Sequence, residues 1–408
     1  MSVSRNARID AALALTAVAL LAGLRLVTGT IPVNGGRGWD GMDYAAMLTS
    51  SFDAGSANSA LRPFVVVLTM PAHWLLGSPV AAFGLMNLLF AAVLSLAVCR
   101  LFTRYNPDAG ARALLVVNLF LCIATAKYAA FYPVLVDMGA LTVLTVAMAA
   151  IVSGHRVVAA AALVGAVTAR EFGLAAVVFL LLRDVRQRTP LRVTLATAAP
   201  AIAALVALRL LVNRAFDDGA APLTLARLVT NLQLWHEPVF AGLFAYFAVT
   251  VFGGVSLFAA GAAPAILRLW RREWEWVAYV ALIGAAAAAG DADLWRYLAY
   301  LLPAAVAGFA VASRELASPV RRGLAAAMIL AATLVTQRPW ERIDLVAYFR
   351  DWFPYYLHTG GAPLEDPPSM WPLWGWRFLL AAGLLWAMAA VAAPSPSPAP
   401  EDPGLRTS

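Results

Sequence analysis

The sequence predicts an all-α fold: a polytopic transmembrane helical bundle of about 12 spans in a single domain over residues 1–393. Three observations carry that expectation. Hydrophobic residues fill 62% of the 408 positions and charged residues only 13%, which leaves too little polar surface for water-soluble domains. Twelve apolar stretches recur along the chain, and a spanning helix needs roughly 20 such residues. The basic residues collect in alternate short loops, the pattern of a membrane protein with its positive side in the cytoplasm.

Taken in order, the first stretch, 9–28, lacks a small-residue cleavage site at its far end and is read as a retained helix rather than a signal peptide. The others lie near 79–99, 112–131, 136–152, 157–169, 171–182, 191–212, 239–267, 275–290, 294–313, 320–336 and 375–393. An even number of spans places both termini on one side. Assigning that side to the cytoplasm puts 17 of the 30 basic residues in short inner loops, among them Arg100, Arg104, Arg156, Arg183, Arg186, Arg268 and Arg314, whereas 15 of the 23 acidic residues fall outside. The protein is therefore expected in the cell membrane with its working face outside the cytoplasm. Outer loops at about 29–78, 213–238 and 337–374 have length enough to build a site, and the inner loops only turn the chain. The Pro/Ser-rich segment 394–408 reads as a disordered cytoplasmic tail.

The net charge of +7 is accounted for by the inner-loop arginines, which argues against a nucleic-acid partner. All basic residues but Lys127 are Arg, and Cys99 and Cys122 both lie in apolar stretches, giving no disulfide framework. The sequence has no internal repeat, phosphate-cradling glycine loop, HExxH or GxSxG element.

The scarce polar residues then narrow the search. Trp39-Asp40-Gly41-Met42-Asp43-Tyr44 directly follows the first span and favours a short helix starting near Asp40, with Asp40, Asp43, Tyr44 and Met47 on or near one face. Asp40 and Asp43 read either as a helix cap and its dipole partner or as functional carboxylates at the membrane edge. Tyr132-Pro133 and Asp137 stand at the outer end of the third span, where Asp137 could simply cap a helix. Thr168-Ala169-Arg170-Glu171 interrupts an apolar run of about 26 residues; an ion pair there needs a protein-lined or watery environment, if only to permit a turn. Asp291, Asp293, Arg296 and Tyr297 lie at the outer end of another pair of spans, where Arg296 could serve as an interfacial anchor. Loop 337–374 holds nine Trp, Tyr and Phe residues, with Trp376 just beyond it, an aromatic belt or a lid that guides a prenyl chain or stacks on sugar faces.

Trp39-Asp40-Gly41 followed by Tyr44 resembles the first-loop motif of the GT-C superfamily of membrane glycosyltransferases, which use polyprenyl-phosphate sugars, and is most similar to its mannosyltransferase branch. Leu61-Arg62-Pro63-Phe64, the Thr-x-Arg-Glu break and the Arg296-Tyr297 pair extend the resemblance. It implies a GT-C-like bundle in which Asp40, or alternatively Asp43, is the base that activates the acceptor hydroxyl. Arg62, Lys127, Arg170 and Arg296 would meet the donor phosphate, and Tyr44, Asp137, Glu171 and Tyr297 would orient substrate. The acid pair that holds a divalent metal in oligosaccharyltransferases of the superfamily is absent, since Asp137 stands alone; no cofactor is assigned, and a divalent cation stays an open alternative. The partners implied are a polyprenyl-phosphate sugar donor, a lipid-linked or glycan acceptor and membrane lipids. A transporter or lipid flippase, or a non-catalytic relative that scaffolds envelope assembly, are the competing readings.

Overall fold

The computed structural model describes residues 5–216, 231–290, 293–316, 318–365 and 368–393. The 394–408 tail, most of the 213–238 loop, and Asp291 lie outside the described residues. The described residues form helices and no strand, and each of the twelve apolar stretches is helical or a pair of helices.

Twelve spans were expected; among the described residues, six helices are by themselves long and apolar enough to cross a membrane: Arg5–Thr28, Pro79–Tyr105, Leu191–Ala215, Leu294–Arg314, Pro319–Gln337 and Trp374–Ala392. Two bent pairs raise the number to eight, Ala109–Leu119 with Ile123–Phe131 at 59° and Pro238–Thr250 with Gly254–Gly261 at 92°. The remaining apolar helices, such as Arg156–Ala169 with 14 residues, fall short of a hydrocarbon core about 30 Å thick at about 1.5 Å per residue. Several of the twelve apolar stretches are thus shorter helices packed against neighbours.

The two bends have local causes. At the first, the chain leaves α-helical pairing at Phe120–Cys122 and resumes as a π-helical turn, Ile123–Lys127, in which the Cys122 carbonyl accepts from both Ala126 and Lys127. At the second, Gly253 has φ +55, and a Cβ on it would stand 2.6 Å from the Thr333 hydroxyl, so only glycine lets the turn press against the neighbouring helix.

Asp137–Ser153 is the central helix, with nearly every side chain from Met138 to Val152 buried. Pro79–Tyr105 and Arg156–Ala169 flank it. At its C-terminal end, Arg156 grips Asp184 through two 2.6 Å bonds, and Arg183 and Arg186 both pair with the fully buried Glu275. These bridges tie the helices together at one end. At the other end Asp137 opens the helix, where a carboxylate is favoured by the helix dipole, and this is the end on which the 29–62 loop and the 338–364 segment converge.

The 338–364 segment folds as two short helices, Leu345–Trp352 and Pro354–His358, clamped by charge. Asp351 accepts from Arg350 at 2.8 Å and from Arg377 at 2.5 Å, and Arg350 also reaches Glu341 at 3.2 Å. Burial pushes the Asp351 carboxyl up, but the Arg350 and Arg377 guanidiniums outweigh it and hold it below the ordinary carboxylate value. A carboxyl lowered on folding stabilises the folded state above its unfolded value, about 3.9, and that contribution is lost as pH falls through the folded value. The clamp is expected to hold from neutral pH down to about 4 and to loosen below it, whereas Asp351→Asn loosens it throughout. Limited proteolysis of the segment as a function of pH measures both.

Candidate active site

Asp40 occupies the N-cap position of the Gly41–Thr49 helix, yet its side chain makes no capping hydrogen bond. The first N–H of the helix, on Gly41, is satisfied instead by the Tyr132 hydroxyl at 3.0 Å. A residue 91 positions away thus takes over a cap's work and leaves the Asp40 carboxylate free, 55% exposed, with one oxygen 3.4 Å from Arg296 Nη1.

Gly38 sets that placement. Its φ is +65, and a Cβ added there would sit 2.1 Å from the Tyr132 ring. Gly38→Ala is therefore strained in backbone and packing at once. It is expected to shift Trp39-Asp40, lowering the activity of this site more than tenfold while the helical content measured by circular dichroism is unchanged.

Behind Asp40 the buried charges interlock. Asp137 accepts from Arg170 at 2.8 Å on one oxygen and from Arg296 at 3.0 Å on the other. Arg296 also pairs with Asp293 at 2.7 Å and lies over the Tyr128 ring at 5.9 Å. With both its oxygens held by guanidinium groups, Asp137 does not fit a divalent cation, and among the described residues no group of three His, Cys, Asp or Glu could hold one. Arg62 stands beside this cluster, donating to the Tyr44 hydroxyl at 3.4 Å and pairing with Glu171 at 3.7 Å. The Nε–H groups of Arg170 and Arg296 are buried without a hydrogen-bond acceptor in the protein, and that of Arg62 has only the Glu171 carboxylate at 3.7 Å, a costly state that an anion would relieve.

Two cavities adjoin the cluster. One, of about 400 Å³, carries Arg62, Arg170, Glu171 and Arg209 at its polar part and runs along aliphatic side chains including Leu174, Val178, Leu282 and Ile283. Three arginines against one carboxylate make it cationic. The other, of about 360 Å³, holds Asp40, Asp293 and Arg296 and, apart from Gly361 and Pro363, is otherwise aromatic. Arg170 lines the first cavity and Arg296 the second, and Asp137 bridges them.

Of the residues picked out in sequence, the structure brings Asp40, Asp137, Arg170 and Arg296 into one network and sets Arg62, Tyr44 and Glu171 alongside it. Tyr297 lines the aliphatic groove and packs on Phe172 at 5.5 Å. Two residues stand apart. Asp43 accepts from the Ser59 hydroxyl at 2.9 Å and makes no bond to the Asp137 network. Lys127 donates to the carbonyls of Gln337 and Arg338, at 2.8 and 2.5 Å, and so caps the end of the Pro319–Gln337 helix. Sequence reasoning missed Arg209. Its signal was a charge within the apolar 191–215 helix, but six residues from the helix end it reads as an arginine reaching for the interface. Among the described residues it has no hydrogen bond or ion pair.

No protein-family model matches the chain, and no curated protein does. Among solved structures, the chain is similar to ArnT from Cupriavidus metallidurans bound to undecaprenyl phosphate, at 17% identity over 93% of this chain and 76% of that one, with a TM-score of 0.51. That likeness is one of fold: the described residues form an all-helical bundle, rich in apolar helices, that folds like that protein.

Proposed function

We propose that the chain is an integral membrane glycosyltransferase that moves a sugar from a polyprenyl-phosphate donor to an acceptor hydroxyl. The observation that carries this reading is the aliphatic groove headed by Arg62, Arg170 and Arg209, because a long hydrocarbon ending in phosphate has that same division of chemistry. ArnT, whose fold the chain shares, was crystallised with such a lipid. The charge sorting of the loops supports placing the site outside the cytoplasm, where a lipid-phosphate donor needs no nucleotide.

In the reaction, the Asp40 carboxylate takes the acceptor hydroxyl proton as that oxygen bonds to the anomeric carbon. The bond from that carbon to the phosphate oxygen breaks, its electron pair stays on the oxygen, and polyprenyl phosphate departs with one more negative charge. Arg62, Arg170 and Arg209 offset that charge in a setting poor in water. A single displacement inverts the anomeric centre. Asp40 is preferred to Asp43 as the base because the Asp43 carboxylate is engaged by Ser59. The Trp39-Asp40-Gly41 form favours mannose, with other envelope pentoses and hexoses as the next candidates.

Binding of undecaprenyl phosphate to the purified chain in nanodiscs tests the reading. Saturable binding is expected, with undecaprenol failing to compete. Arg209→Gln and Arg62→Gln should each weaken it by about tenfold or more, the worth of a charge-assisted hydrogen bond, and Arg209→Lys should recover part of the loss. Equal affinity for the alcohol and the phosphate would overturn it.

A further inference from the structure

The aromatic cavity differs from the groove in what it lacks. Among the described residues that line it there is no Leu, Ile, Val, Met or Ala, whereas such side chains form about half of the groove wall. Its polar part is Asp40, Asp293 and Arg296, and its walls include Trp39, Tyr348 and Tyr356. Trp39 packs at 5.7 Å from both Tyr348 and Phe349, so the ring is braced, yet it remains 37% exposed.

An alkyl chain gains from burial against aliphatic surface continuous with the bilayer, and it gains nothing from two carboxylates and a guanidinium. A pyranose or furanose ring has the complementary chemistry. Its C–H faces lie flat on aromatic rings, and its hydroxyls donate to carboxylates and accept from arginine. The volume, about 360 Å³, falls within the roughly 300–1,000 Å³ usual for small-ligand pockets.

We infer that this cavity seats a carbohydrate residue of the acceptor, so that the acceptor is the sugar end of a glycan and not an alkyl or acyl lipid headgroup. The inference rests on Asp40 acting as base, because the hydroxyl it activates must then lie in this cavity. Donor and acceptor accordingly approach from two sides of the Asp137 bridge: the donor lipid along the aliphatic groove, the acceptor glycan through the aromatic opening. Trp39, placed beside the base, is the surface on which the accepting ring lies.

Saturation-transfer NMR on the nanodisc protein with soluble α-mannobiose, arabinan and glucan oligosaccharides tests this directly. At least one oligosaccharide is expected to receive signal on its ring protons. Trp39→Ala should weaken that sugar about threefold to tenfold, the range of an aromatic contact, and leave undecaprenyl phosphate binding unchanged. Absence of transfer to every oligosaccharide, or a signal indifferent to Trp39→Ala, overturns the glycan assignment while intact undecaprenyl phosphate binding leaves the donor reading standing. Loss of undecaprenyl phosphate binding by the wild-type chain would instead remove the donor reading and this inference with it.

Discussion

Asp40→Asn is expected to lower sugar transfer by about 10²–10⁴-fold, the usual contribution of a positioned general base, with undecaprenyl phosphate still bound. The amide is nearly the same size, and Asp40 makes no capping bond that its loss would break. Stability should therefore change little, so the loss reads out chemistry and not folding. Its nearest pair, the 3.4 Å contact with Arg296, is long and half open to solvent, a geometry worth little to the fold. Asp43→Asn supplies the contrast. That carboxylate holds Ser59 in the loop, and its replacement should leave most transfer activity in place. The assay is single-turnover transfer in membranes supplied with donor; equal loss in both variants would assign the base wrongly.

Asp137→Asn should act on stability first. The carboxylate is the shared counter-charge of Arg170 and Arg296, whose side chains are only 5% and 8% exposed. Removing it leaves two buried guanidiniums facing each other across a neutral amide, and breaking a buried pair in this way costs about 3–5 kcal/mol. Thermal unfolding in nanodiscs should show a large fall in midpoint, and transfer should fall with it because Arg170 and Arg296 lose their common anchor. A midpoint equal to wild type would mean that Asp293 and Asp40 alone hold Arg296 in place.

How much of this was legible in the sequence depends on the distance over which each signal acts. The helices were legible because apolar runs are local, and so was the break at Arg170-Glu171, since an ion pair cannot sit bare in hydrocarbon. Helix length was less legible: the run 157–169 has the composition of a membrane span, yet its helix has only 14 residues and packs against the central helix. The grouping of Asp40, Asp137, Arg170 and Arg296 followed from the span ends to which the sorted loop charges assign them. Their bonding did not: Arg296 and Asp40 are 256 residues apart, and nothing local says that Asp137 serves two arginines. Lys127, which the resemblance set at the donor phosphate, is aimed by a π-helical turn at the open carbonyls of another helix, and no local signal announces that turn. Arg209 went unseen because an arginine near a helix end has an ordinary explanation, and only the cavity beside it gives a second.

The central claim is that one cluster joins a lipid-phosphate donor to the carboxylate at position 40. The most direct measurement is an electron cryo-microscopy map of the chain in nanodiscs with undecaprenyl phosphate. The expected map shows prenyl density along Leu174, Val178 and Ile283, with the phosphate within hydrogen-bonding distance of Arg62 and Arg170. Prenyl density elsewhere on the bundle, or a phosphate seated away from these arginines, would contradict it.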